Sequence, residues 1–462
     1  MHDGSSGRGG EVAPTTLRGV QEALLEELTD WLRIPSISTG DGDPADIRRA
    51  AEWVVERVRA AGGECELVET AGNPLAVGDL HSTQPDAPTV LIYGHYDVQS
   101  VGDPAAWKSP PFEPEVRAGR LYARGASDDK GNFQPLLHVA CELARAGELP
   151  VNVRVLVEGE EEAGGESVAE WVRADERGAD AALVFDSDMA DEHTPAITIG
   201  LRGIVLATIA VRTAERDLHS GIYGGSVLNA VHVLHAMLAQ VMPGPDGRLR
   251  EELRAGIEDP APAERESWAR LKPGDEVLAE VGGRPVHAGA GAEYYERNGA
   301  DASLEVNMIE GGEPRTVVPA TARAVVSLRL APRQRSAEIK PVLEGLLLGA
   351  VPDGAEVEIG WQLAEPSLFD VDEPAIQLAA RALEQACGVA PVMQRSGGSI
   401  PVVAELAAAG IPTIVGGFAL PDDAIHAPNE SYRLESLRLG EAAARELYAA
   451  LAELSNAAPR PS

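Results

Sequence analysis

Short β-like runs alternate with helical stretches along the first part of the chain, and this order commits it to a layered α/β sheet. Apolar residues Leu17, Val20, Leu24, Leu25, Leu28 and Leu32 recur at helical spacing until Pro35 ends the pattern. A second helix is predicted over residues 44–60 and stops at Gly62-Gly63. The β-like runs are 65–68, 89–93, 151–157 and 181–185, with a helix over 133–145 between the second and third. The middle of the chain has a different texture. Residues 197–212 and 322–330 are β-branched and alternating, 227–241 are helical, and 243–290 are rich in charge, proline and glycine. This segment, 199–368, reads as an inserted α+β domain. Beyond it a helix (373–387), a short apolar strand (413–415) and an amphipathic helix (434–454) return to the first style. The expected organisation is therefore a discontinuous α/β domain, 1–198 and 369–462, interrupted by an insertion.

Charge excludes some functions. With 39 Lys plus Arg against 73 Asp plus Glu the formal charge is −34, a field that repels phosphate backbones and anionic lipid heads, so neither nucleic acid nor membrane is an expected partner. The 44% hydrophobic content is that of a chain with a packed core. Three widely separated cysteines, Cys65, Cys141 and Cys387, form neither a disulfide framework nor a Cys-rich zinc site, and fit a reducing cytoplasm. No signal-peptide core or long apolar run is present, and residues 1–14 are expected to be a disordered tail.

Chemistry concentrates just beyond the predicted strands. Residues 89–93 lead into Gly94-His95-Tyr96-Asp97-Val98; 151–157 lead into Glu158-Gly159-Glu160-Glu161-Glu162; 181–185 lead into Asp186; and 412–415 precede His426-Ala427-Pro428-Asn429-Glu430. In open α/β sheets ligands gather beyond the carboxyl ends of the strands, so these residues are expected to converge. Asp128, in Gly125-Ala126-Ser127-Asp128-Asp129-Lys130-Gly131, joins them from a glycine-bounded loop. Two imidazoles and several carboxylates at one edge suit a divalent metal, zinc or a harder ion such as manganese. The two-residue spacing of His95 and Asp97 puts both on one side of an extended chain, where Asp97 can accept the second N–H of a ligand histidine. Within the glutamate run, one carboxylate on the metal and one beside its water would supply a ligand and a general base. Each piece alone also has an ordinary reading: a surface pair, a solvated face, a turn. Their joint occurrence outweighs those readings.

The motifs YGHYDVQ (93–99), WKSPPFEPEVRAGRLYARGASDDKG (107–131), EGEEEAG (158–164), ITIGLRG (197–203), DLHSGIYGG (217–225), SLRLAP (327–332), RSGGSIPVV (395–403) and HAPNE (426–430) resemble the co-catalytic dinuclear metallopeptidases of carnosinase, aminoacylase and glutamate carboxypeptidase, nearest the cytosolic non-specific dipeptidase and carnosinase branch. The resemblance implies a zinc-peptidase-like catalytic domain with a mostly parallel sheet and an inserted lid and dimerisation domain. It makes His95, Asp128, Asp186, Glu162 and His426 the ligands of two divalent ions, zinc first, with manganese or cobalt as alternatives, and Asp128 their bridge. Asp97 would orient His95, and Glu161 would be the general base. His219 would reach the partner subunit's site in a homodimer and stabilise the oxyanion. Arg329 would grip a substrate carboxylate, and Asn229, Thr316, Gly398 and Ser399 would line the pocket. Gly165, Phe185 and Ser396 depart from the family pattern; Phe185 and Ser396 are expected near the pocket, where they bear on substrate preference. The implied activity is hydrolysis of dipeptides or similar short peptides with a free C-terminal carboxylate. An N-acyl-amino-acid amidohydrolase is the alternative within the same site, and a catalytically silent binding protein is the alternative from another class.

Overall fold

The computed structural model describes residues 20–40 and 42–456; the tail expected over 1–14, and Leu17, lie outside the described residues. The first helix runs Val20–Leu32 and the second Pro44–Ala60. The second is started by Asp43, whose carboxylate accepts the Ala45 N–H at 2.9 Å, with Pro44 at the first helical position. It turns Ile47, Ala50, Val54 and Val58 inward.

Among the described residues the larger sheet has nine strands. In spatial order they are Glu64–Val68, Leu75–Leu80, Asn152–Glu158, Thr89–His95, Ala181–Phe185, Thr413–Gly416, Ala196–Leu201 and Ser367–Leu368, with Val392–Ser396 also paired to Ala196–Leu201. The central four, from Asn152–Glu158 to Thr413–Gly416, are parallel, so their carboxyl ends share one edge. The flanking pairs are mostly antiparallel. Both faces are covered, which is why these strands read as continuous apolar runs. Val90 and Ile92 face one core with the helices Lys130–Ala146, Pro374–Cys387 and Leu434–Leu451; Leu91 and Tyr93 face the other with Val168, Val172, Val402 and Leu406. The strand Leu75–Leu80 was not predicted from sequence: Gly78 and Asp79 interrupt its hydrophobic pattern.

A second, four-stranded antiparallel sheet is built from Ser303–Gly311, Thr321–Leu330, Gly203–Arg212 and Glu356–Ala364 in that order. One face, with Val205, Ala207, Ile209 and Val211, packs on the helices Ala230–Ala239 and Ser336–Leu348 through Leu234, Met237, Leu343 and Leu347. The other face is more open, and the strands alternate accordingly. The stretch 197–212, one pattern by sequence, breaks at Arg202: Ala196–Leu201 belongs to the large sheet and Gly203–Arg212 to the small one.

Candidate metal centre

His95 ends its strand at the shared carboxyl edge, Asp186 follows Ala181–Phe185, and Glu161 and Glu162 lie in the turn after Asn152–Glu158. His95 is fully buried because the strand is backed by Phe133; a Cβ on Gly94 would run into that ring. Two groups of donor atoms form there. His95, Asp128 and Asp186 present atoms all within 4.8 Å of one another, and so do Asp128, Glu162 and His426. Asp128 is common to both. Its Oδ1 lies 3.0 Å from His95 Nε2 and its Oδ2 lies 2.9 Å from His426 Nε2, one oxygen turned to each imidazole. His426 Nε2 is also 3.1 Å from Glu162 Oε2.

The electrostatics suit cations. Burial pushes the Asp186 carboxyl well above the carboxylate range, and Asp129 and Asp128 add to the rise. Glu161 is pushed up to about 7, chiefly by burial, with Asp128 and Glu162 adding and His95 opposing. Burial would raise Asp128 too, yet His426 and His95 outweigh it and hold its pKa low. His426 rises to about 10 through its bonds to Asp128 and Glu162. This many carboxylates in so little space need protons or metal ions to offset them. Imidazole nitrogens and carboxylate oxygens without a thiolate fit zinc, manganese or cobalt.

Asp97 differs from expectation in detail. The hydrogen bond of His95 Nδ1 goes to the Asp97 backbone carbonyl at 3.0 Å, with the carboxylate Oδ1 at 3.3 Å. The other carboxylate oxygen accepts from Ser38 Oγ at 2.6 Å and from the Glu162 N–H at 3.2 Å. Asp97 therefore ties the Ser38 and Glu162 segments together as well as facing His95. Of the three glutamates, Glu160 turns away and accepts the Asn73 N–H at 3.1 Å.

Glu430 closes the HAPNE motif (426–430). Its fully buried carboxylate accepts from Gly125 N at 2.9 Å, Ser127 N at 2.9 Å, Asp128 N at 3.1 Å and Arg124 at 2.7 Å. One side chain thus pins the Asp128 loop to the His426 loop. The latter also contains Asn429, whose side-chain oxygen accepts Lys108 N–H at 2.8 Å. His426 and Asn429 adopt φ of 60° and 67°, a left-handed backbone that persists only where surrounding contacts over-determine it. The sequence signal for Glu430 was its place in the motif; Ser38, in an unremarked segment, had none.

The remaining expected site residues belong to other elements and loops. His219 starts the short helix Ser220–Tyr223, is exposed, and accepts the Gly221 N–H at 3.0 Å; among the described residues no hydrogen bond or ion pair joins it to the candidate ligands. Its short strand pairs with Val317–Val318, and the Thr316 carbonyl accepts from Ser220. Asn229 caps the helix Ala230–Ala239, accepting from Val231 N at 2.9 Å, which accounts for it structurally. Arg329 is half-buried on the open face of the small sheet, and no carboxylate pairs with it among the described residues. Gly398 and Ser399 lie in the loop after Val392–Ser396, where Ser396 Oγ accepts the Gly398 N–H at 3.1 Å. Phe185 corrects one expectation: it is 1% exposed and packs edge-on against Phe418 at 5.6 Å, so it serves the core and not the pocket.

Known proteins resemble this chain over most of its length. A cysteinylglycine-S-conjugate dipeptidase of Corynebacterium striatum is 28% identical, covering 84% of this chain and 86% of that protein. A Beta-Ala-His dipeptidase of Mus musculus is 27% identical over 89% of each. The crystal structure of the M20 family metallo-carboxypeptidase Sso-CP2 from Sulfolobus solfataricus superposes with a TM-score of 0.83 at 25% identity, covering 93% of this chain and 99% of that one. The profile of peptidase family M20/M25/M40 matches residues 91–450. The chain belongs to peptidase family M20/M25/M40.

Proposed function

We propose that this enzyme hydrolyses dipeptides with a free C-terminal carboxylate, at a centre where His95, Asp128 and Asp186 hold one divalent ion and Asp128, Glu162 and His426 a second. The observation that carries it is the bridging posture of Asp128, one oxygen toward each histidine. Relatives named as dipeptidases support the substrate class. When bound, the ions supply Lewis acidity, polarising the scissile carbonyl and lowering the pKa of a water. Glu161, beside both ligand groups and with a carboxylate free of hydrogen-bond partners among the described residues, takes the proton of the attacking water and delivers it to the leaving amine. Asp97 keeps His95 and the Glu162 backbone in place. Arg329 receives the substrate carboxylate as a planar fork on a planar anion.

His219 completes the site from a second copy of the chain, which pairs through the inserted domain. The exposure of Ile222 (70%) and Tyr223 (44%) beside it supports this arrangement. Zinc is the proposed resident ion. The free cysteines Cys65, Cys141 and Cys387 suit a cytoplasmic enzyme. Among the described residues no helix is long and apolar enough to cross a membrane.

The test is a substrate panel on zinc-reconstituted protein: free dipeptides, C-terminally amidated dipeptides and N-acetylated amino acids. Cleavage of the free dipeptides, with a loss on amidation that Arg329→Ala reproduces, is expected. Preference for the N-acetylated amino acids would replace this function with that of an amidohydrolase.

A further inference from the structure

Glu161 and Glu162 are chemically identical neighbours, so the division of labour between them must come from what holds each one. Glu162 is held at two points: its N–H donates to Asp97 Oδ2 at 3.2 Å, and its Oε2 accepts from Gln99 Nε2 at 3.0 Å. That same oxygen faces His426 at 3.1 Å, and the Glu162 side chain is 3% exposed. The Glu161 side chain has no hydrogen-bond partner among the described residues.

The orientation of the Gln99 amide follows from its partners. An ionised carboxylate only accepts, so the NH₂ must face Glu162. The amide oxygen is then left to accept, and it does so from Thr39 Oγ1 at 3.1 Å. The Thr39 oxygen in turn accepts the Ser100 N–H at 3.0 Å. Donation runs one way, from Ser100 through Thr39 and Gln99 to Glu162. Thr39 is itself fixed, because residues 36–39 lie along 96–100: Val98 N donates to Ser36 O at 2.9 Å and Ser38 N to Val98 O at 3.2 Å. Ser38, from the same segment, donates to Asp97. This segment precedes the 91–450 stretch matched by the family profile.

We infer that Gln99, oriented by Thr39, is a positioning residue that commits Glu162 to the second metal ion and leaves Glu161 free to carry the proton. The inference rests on the proposed assignment of Glu162 and His426 to that ion. A hydrogen-bond donor behind a ligand carboxylate holds its oxygen in place before the ion arrives, and losing such a partner weakens metal binding by about 10–100-fold. Gln99 is only partly buried, so its replacement leaves the core intact.

The test titrates chelator-stripped full-length protein with Zn²⁺ against a chromophoric competitor, with thermal unfolding measured alongside. In Gln99→Leu, one of the two binding steps is expected to weaken by about 10–100-fold while the other, and the unfolding temperature, stay at wild-type values. Lost activity should return with excess zinc at unchanged KM. Thr39→Val should weaken the same step by a smaller factor, and Thr39→Ser, which keeps the hydroxyl, should restore it. Two wild-type binding steps in Gln99→Leu, or equal weakening of both with a lowered unfolding temperature, would overturn the inference and leave the site assignment standing. Wild-type protein that takes up fewer than two ions would overturn the site assignment itself.

Discussion

Replacing Glu430 by alanine tests how the two halves of the centre are joined. The carboxylate is 0% exposed and its partner Arg124 1% exposed, and it accepts hydrogen bonds from that guanidinium and from the backbone N–H groups of Gly125, Ser127 and Asp128. Glu430→Ala strands a buried guanidinium, the buried amides of Gly125 and Ser127 and the partly buried amide of Asp128 at once. Breaking one partner of a buried ion pair costs about 3–5 kcal/mol, a large fraction of the ~5–15 kcal/mol by which a folded protein is stable. The variant should remain folded at low urea and unfold at a clearly lower midpoint with an unchanged slope. It should also bind zinc more weakly, since the released segments carry Asp128 and His426. Adding Arg124→Leu removes the stranded charge, so the double variant should be more stable than the sum of the single effects by about 1–3 kcal/mol. A Glu430→Ala cost below about 1 kcal/mol, ordinary for a surface substitution, or strict additivity in the double variant, would refute this reasoning.

Glu161→Gln should lower turnover by about 10²–10⁴-fold while zinc content measured by atomic emission stays at the wild-type value, because the change removes a proton carrier and no ligand; retained turnover would exclude Glu161 as the base. Stability of the metal-free protein should fall as pH rises. Burial lifts Glu161 to about 7 and Glu158 to about 8 from an ordinary 4.5, so the stability each contributes is complete below about 4.5 and is lost as pH climbs through 7 and 8. Asp128, held low by the two imidazoles, works in the opposite sense only below this window. Urea midpoints across that range should show the decline, Glu158→Gln should remove part of it, and a flat profile would contradict it. Chelation should empty the centre in two phases, the ion at His426 (51% exposed) leaving before the ion at His95 (0% exposed); the order can be read from which histidine's NMR resonances shift first.

Of the residues expected as metal ligands, His95, Glu162 and Asp186 were legible because each sits at or just past the end of a strand whose apolar run is itself readable. His95 and Asp186 follow directly from the parallel sheet and its shared edge. Asp128 and His426 were readable only through their motifs, since the loops that carry them are shaped by Glu430 and Asn429 across about 300 residues of chain. Periodicity does not record such long-range hydrogen bonds. The same holds for Gln99 and Thr39, whose partners are brought alongside only by folding. Phe185 was misplaced for a related reason: its position beside Asp186 suggested the pocket, but the alternation of a strand turns successive side chains to opposite faces, and its ring points into the core. The break at Arg202 was hidden because Ile197-Thr198-Ile199 alternates in sequence as the next strand does, although Ala196–Leu201 is buried on both faces and Gly203–Arg212 only at alternate residues.

The central claim is that two divalent ions share Asp128. Anomalous diffraction at the zinc edge, from crystals of the zinc-loaded protein, tests it most directly. Two peaks are predicted, both in contact with Asp128, one also reached by His95 and Asp186 and the other by Glu162 and His426. A single peak, or two peaks of which only one touches Asp128, would contradict it.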